Sequence, residues 1–83
     1  MGKHEKLLLQ ILRGGSDRNI SFDDLCKLLE SMGFDKHIRG SHHVFSKEGV
    51  EELINLQRVG DKAKAYQVCQ VRQIIVKNHM AGE

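Results

Sequence analysis

With 83 residues, the chain holds material for one compact core and not for two. Forty percent hydrophobic content, much of it Leu, Ile and Val, argues against a disordered tail, and with few aromatics (Phe22, Phe34, Phe45 and Tyr66) and no tryptophan, aliphatic side chains are expected to carry the core. The formal charge of +2 is too mild to imply a nucleic-acid partner by its size alone.

Charge is nevertheless unevenly placed. Acids concentrate in Phe22–Glu30 and Glu48–Glu52, whereas Arg58–Arg72 holds four basic residues against one Asp, which allows a local basic surface. The apolar run Leu7–Leu12 is too short to span a membrane and has no cleavage-site pattern, so a cytoplasmic location without membrane partners is expected. Cys26 and Cys69 lack metal-site spacing. A single disulfide between them stays open at this stage, although no secretion signal implies an oxidising compartment.

Taken in chain order, Lys3–Arg13 is predicted as a short helix with Leu8, Ile11 and Leu12 on one stripe. Gly14-Gly15 ends it, because glycine accepts a left-handed cap at little steric cost. The next start signal is more complete. Ser21 is suited to cap the helix, Asp24 stands three residues on as a capping-box acid, and Ile20 with Leu25 forms a hydrophobic staple. Phe22, Leu25, Leu28, Leu29 and Met32 recur at helical spacing. Gly33 follows where a left-handed cap belongs, with Phe34 placed to fold back on the last turn.

From Phe34 the period becomes two. Asp35–Arg39 and His42–Ser46 flank Gly40-Ser41, a glycine-first pair suited to a two-residue hairpin turn. That turn places Arg39 opposite His42, Ile38 opposite His43 and His37 opposite Val44. Phe34, Lys36, Ile38, His43 and Phe45 then share one face, which is expected to pack on the helices. His37, Arg39, His42 and Val44 share the other, which is expected to face water.

A turn around Lys47–Gly49 leads to Glu51–Gln57, predicted as a third antiparallel strand because two strands make a marginal sheet. Arg58–Lys64 is predicted as a polar basic loop. Tyr66–Lys77 is predicted as the last helix, with Val68, Val71, Ile74 and Ile75 buried and Lys77 near its negative end.

The run Gly40-Ser41-His42-His43-Val44-Phe45, on a hairpin that follows an amphipathic helix and the Gly33-Phe34 pair, resembles the signature of HicA toxins. The stretch from Leu56-Gln57 through Lys62-Ala63-Lys64 to Tyr66-Gln67-Val68 and Val71-Arg72-Gln73-Ile74-Ile75 is similar to a longer branch of that family. The resemblance implies one HicA-like domain over residues 1–83, with a family-like core at about 20–78. It implies an α+β fold similar to a double-stranded-RNA-binding domain, with a three-stranded antiparallel sheet on helices in the order α-α-β-β-β-α.

By the same resemblance, the function is that of an mRNA interferase, the metal-independent endoribonuclease toxin of a type II toxin–antitoxin system. The expected partners are mRNA and a HicB-like antitoxin, and no cofactor is expected. The family's catalytic histidine directly follows Gly-Ser, which is His42 here, with Gly40 and Ser41 as the turn that presents it. Ala65 stands where this branch commonly starts the helix with proline. The further histidine that several members carry after the third strand is missing, and Lys3–Arg13 extends beyond the minimal core.

Such a nuclease needs a base, an acid and cations on the phosphate, because RNA carries its own nucleophile in the 2′-hydroxyl. Histidine suits both proton-transfer roles near neutral pH. Arg39, across the strand pair, is the candidate phosphate contact, and His37 a candidate second titrating group. Lys62, Lys64 and Arg72 either contact RNA phosphates or form a solvated face. Without the resemblance, His42 and His43 read as ordinary strand residues beside a turn, His43 being the packing one. His37, His42, His43 and Cys69 have no zinc-finger spacing. Two other functions fit the same residues. One is a non-catalytic RNA-binding module of the double-stranded-RNA-binding type, and the other is a protein-interaction domain that docks a partner by its sheet edge or first helix.

Overall fold

A computed structural model describes residues 2–80. Its elements are α1 (Lys3–Arg13), a 3-10 turn (Asp17–Asn19), α2 (Phe22–Ser31), β1 (Asp35–Arg39), β2 (His42–Lys47), β3 (Val50–Leu56), β4 (Arg58–Val59), β5 (Lys62–Ala63) and α3 (Ala65–Lys77). The α+β class, the three helices and the antiparallel sheet β1-β2-β3 agree with the order read from the sequence. The segment after β3 departs from expectation. Arg58–Lys64 is not an irregular loop but contains the tight hairpin β4–β5, turned through Gly60 at φ 63°. Its two-residue strands are too short to show a period, and the Gly60-Asp61 pair is the only local trace of the turn.

The local signals around α2 act as their chemistry requires. Ser21 Oγ accepts a hydrogen bond from the Asp24 amide at 3.3 Å, a cap that contributes about 1 kcal/mol. The Asp24 carboxylate pairs with Lys3 of α1 at 3.0 Å and so ties the two helices together. At the other end Gly33 has φ 96°. The Phe34 amide reaches Leu29 O and the Gly33 amide reaches Glu30 O, both at 3.1 Å, which satisfies carbonyls the helix would otherwise leave open. Phe34 is buried by that fold-back.

Gly14 ends α1 in the left-handed region, as expected, and the adjoining loop is fastened from the far end of the chain. Arg72 of α3 donates to Ile11 O at 3.0 Å and forks onto both oxygens of Asp17 at 2.9 and 3.1 Å. This bidentate pairing suits guanidinium geometry and explains why Asp17–Asn19 is held as a turn.

The β1–β2 register is the one the Gly40-Ser41 turn dictates: Arg39 opposite His42, Ile38 opposite His43 and His37 opposite Val44. Gly40 takes φ 59° while Ser41 does not enter the left-handed region, the pattern of a glycine-first hairpin turn. The β2–β3 pairing contains a slip. Lys47 faces Val50 beside the turn, yet Phe45 faces Ile54 and His43 faces Leu56, so β3 carries two extra residues along this stretch. A displacement of two preserves which side chains face which way.

The helices bury their stripes on one face of this sheet. Phe22, Leu25, Leu29, Ile11, Val68, Val71 and Ile75 meet Phe45, Ile54 and Leu56 in one core cluster. Ile38 departs from expectation. It lies on the core side of β1 but is 59% exposed, on the edge strand of the sheet. Cys26 is buried, Cys69 is half-buried, and both are free thiols. Burial pushes the Cys26 thiol up to about 11. Among the described residues no helix is long and apolar enough to cross a membrane.

Candidate functional site

The outward face of the sheet carries His37 and Arg39 from β1, His42 and Val44 from β2, and Leu53 and Asn55 from β3. Gln57 directly follows β3, and continuing the β2–β3 register sets it opposite His42. Period-two alternation alone puts these side chains together, and the hairpin turn fixes Arg39 directly across from His42. His37, Arg39, Val44, Ser46, Leu53 and Asn55 line a shallow groove of about 310 Å³. Through Asn55 the groove adjoins His42.

The His42 ring is held at both nitrogens. Nδ1 lies 3.1 Å from Asn55 Oδ1, and Nε2 lies 3.3 Å from Gln57 Nε2. Lys64 settles which partner donates. Its ammonium has only hydrogens to offer and sits 3.1 Å from Gln57 Oε1, so the Gln57 amide turns its oxygen to Lys64 and its NH2 to His42. The ring therefore accepts at Nε2 and carries its hydrogen on Nδ1, which it donates to Asn55. This tautomer is assigned from the network of partners.

Gln57 is itself anchored. Its backbone amide donates to Oε1 of the buried Gln67 at 2.7 Å, and its carbonyl accepts from the Lys64 amide at 3.4 Å. The start of α3 is thus stitched to the end of β3. Lys64 occupies the N-cap position of α3 without a side-chain cap bond, so an ammonium and the positive end of a helix dipole lie together beside the His42 network. An anion at this corner of the sheet meets both.

The other sequence-derived residues divide clearly. Gly40 and Ser41 form the exposed turn beside His42. Arg39 is exposed across the strand pair, and His37 lies on the same face one alternate position away. Lys62 lies on β5 and bridges to Ser21, close in sequence to Lys64. Arg72 is elsewhere, engaged with Asp17 and Ile11 O in a fastening role. His43 packs edge-on against Phe22 with ring centroids 4.9 Å apart, and its buried Nδ1 has no hydrogen-bond partner among the described residues. Among those residues no three His, Cys, Asp or Glu side chains converge as a metal cage would require.

Asn55, Gln57 and Gln67 carry no motif that singles them out in the sequence. The alternation Leu53-x-Asn55-x-Gln57 is the available signal for the first two, since it continues the outward face of β3. The slip in β2–β3, which no local motif announces, decides which of them stands opposite His42: the unslipped register would place Asn55 there, and the observed one places Gln57 there with Asn55 on the diagonal.

No protein-family model, curated protein or solved structure matches the chain.

Proposed function

We propose that this chain is a metal-independent endoribonuclease that cleaves mRNA through His42, the toxin of a HicA-type pair whose antitoxin is HicB-like. The observation that carries the proposal is the His42 ring itself. It is held at both nitrogens on the outward sheet face, with Arg39 across the strand pair and Lys64 one side chain away through Gln57. The bond at one ring nitrogen sets which nitrogen is left to accept, so this arrangement leaves a lone pair on Nε2, as a general base requires.

In this mechanism the basic Nε2 is covered in the resting protein by the Gln57 amide, at a distance near the long limit for a hydrogen bond. The 2′-hydroxyl of a bound RNA takes the place of that amide as the donor to Nε2. His42 removes the hydroxyl proton, the 2′-oxygen bonds to phosphorus, and the 5′-oxygen leaves with a proton from solvent. The products are a 2′,3′-cyclic phosphate and a 5′-hydroxyl. Asn55 keeps the opposite ring nitrogen paired as the ring becomes cationic, while Arg39 and Lys64 offset charge on the phosphate.

Apart from the short β4–β5 hairpin, the element order from α2 to α3 resembles that of double-stranded-RNA-binding domains, which supports an RNA substrate laid over this face. A HicB-like antitoxin inhibits in this scheme by covering the His42 face, and the pair acts in the cytoplasm. A second reading, an RNA-binding module without catalysis, draws on Lys62 and Lys64 at the start of α3. End-group analysis of RNA incubated with the protein separates the two. Fragments ending in a cyclic or 3′-phosphate support the nuclease, 3′-hydroxyl ends contradict its mechanism, and intact bound RNA leaves the module.

A further inference from the structure

The sheet edge formed by β1 (Asp35–Arg39) has a self-complementary sequence. All five of its residues are exposed, its pairing with β2 has no bulge, and nothing in the sheet lies beyond it. Exposed strand edges are normally blunted by short length, charged side chains, proline, bulges or inward-pointing charges, and the charges on this edge, Asp35, Lys36 and Arg39, are of both signs. Here proline is absent from the chain, and the one core-side charge, Lys36, is neutralised by Glu30 of α2 at 3.3 Å.

Backbone geometry fixes what this edge offers. In a two-residue hairpin the residues flanking the turn, Arg39 and His42, exchange both backbone bonds, and the direction then alternates along the strand. Asp35, His37 and Arg39 thus spend their amides and carbonyls on β2. Lys36 and Ile38 point theirs outward.

We propose that β1 pairs antiparallel with β1 of a second copy of this chain, about a twofold axis at His37, joining the two sheets into one. In that register Lys36 exchanges backbone bonds with the partner's Ile38, and Ile38 does the same with the partner's Lys36. Asp35 then falls opposite the partner's Arg39 in a non-hydrogen-bonded pair, where facing side chains come closest. The twofold repeats this ion pair at the other end. Among the described residues neither Asp35 nor Arg39 takes part in an ion pair within the chain. The exposed Ile38 is covered by the methylene stem of the partner's Lys36. The register that satisfies the outward amides is therefore the register that matches the charges. Shifting it by one residue in either strand breaks both.

The proposal does not rest on the role of His42. It is tested on the full chain by sedimentation equilibrium together with amide exchange followed by NMR. The Lys36 and Ile38 amides are expected to gain protection at least about tenfold as concentration rises about a hundredfold, while His37 and Arg39 stay protected throughout. Asp35→Arg alone and Arg39→Asp alone each set like charges opposite one another, and each weakens association at least about tenfold. The double variant D35R/R39D restores it. A monomer at every concentration, a dimer that leaves the Lys36 and Ile38 amides unprotected, or a double variant no better than the singles would overturn the proposal.

Discussion

The Gln57 side-chain amide donates toward Nε2 of His42 across 3.3 Å, in an orientation imposed by Lys64 on its opposite end. His42 is thereby committed to the tautomer with its hydrogen on Nδ1. In free imidazole side chains the other tautomer is the more populated, so the preference is a property the fold imposes. Nitrogen-15 NMR of the neutral ring is expected to give a protonated-type shift at Nδ1 and an unprotonated-type shift at Nε2. In Gln57→Ala the two shifts move toward each other as the tautomers mix. RNA cleavage falls by about tenfold to a hundredfold in the same variant, since the ring is no longer aimed. Unchanged ring shifts in Gln57→Ala would remove Gln57 from this role.

Lys64 and Arg72 are expected to part company under salt. Lys62→Ala and Lys64→Ala each lower the slope of log affinity for single-stranded RNA against log salt by about 0.7, as expected when one phosphate is no longer neutralised by the protein. Arg72→Ala leaves that slope unchanged at matched folded fraction. It instead destabilises the protein by about 1–3 kcal/mol in urea unfolding, because it strips the Ile11 carbonyl and the half-buried Asp17 of their charged donor. A lowered salt slope in folded Arg72→Ala would place its guanidinium on the RNA.

Most of what positions His42 is readable from local chemistry. Ser21 before Phe22, Gly33 before Phe34, and Gly40-Ser41 between alternating residues each select one backbone geometry, and each takes it. Those signals act within a few residues and compete with nothing distant. The features that escape the sequence are long-range or very short. Arg72 meets Asp17 across most of the chain length, the β2–β3 slip of two residues leaves the inward and outward alternation unchanged and so leaves no trace in it, and β4–β5 is below the length at which periodicity exists. Asn55 and Gln57 lie between these cases. Their face is legible, but which of them stands opposite His42 is set by the β2–β3 register.

Cys26 gives the fold a dependence on alkaline pH. Burial raises its thiol from 9.0 to about 11, so the folded chain keeps a proton that the unfolded chain releases. This contribution is fully present below pH 9 and is lost as pH rises from about 9 toward about 11. Urea midpoints of the wild type are expected to fall more steeply over that window than those of Cys26→Ala, which lacks the group. Parallel pH profiles would mean the thiol is not protected in the fold.

If His42 cleaves RNA without help from a metal, the activity survives chelation and depends on that one ring. The direct measurement is cleavage of a defined mRNA by purified protein in excess chelator, wild type against His42→Ala, with circular dichroism and urea unfolding recorded for both. His42 lies on the outward face, so its loss leaves the core and the unfolding midpoint nearly unchanged. Cleavage by the wild type that drops about a hundredfold to ten-thousandfold in the folded variant is the expected result. Equal cleavage by both proteins, or none by a folded wild type that still binds the RNA, would contradict it.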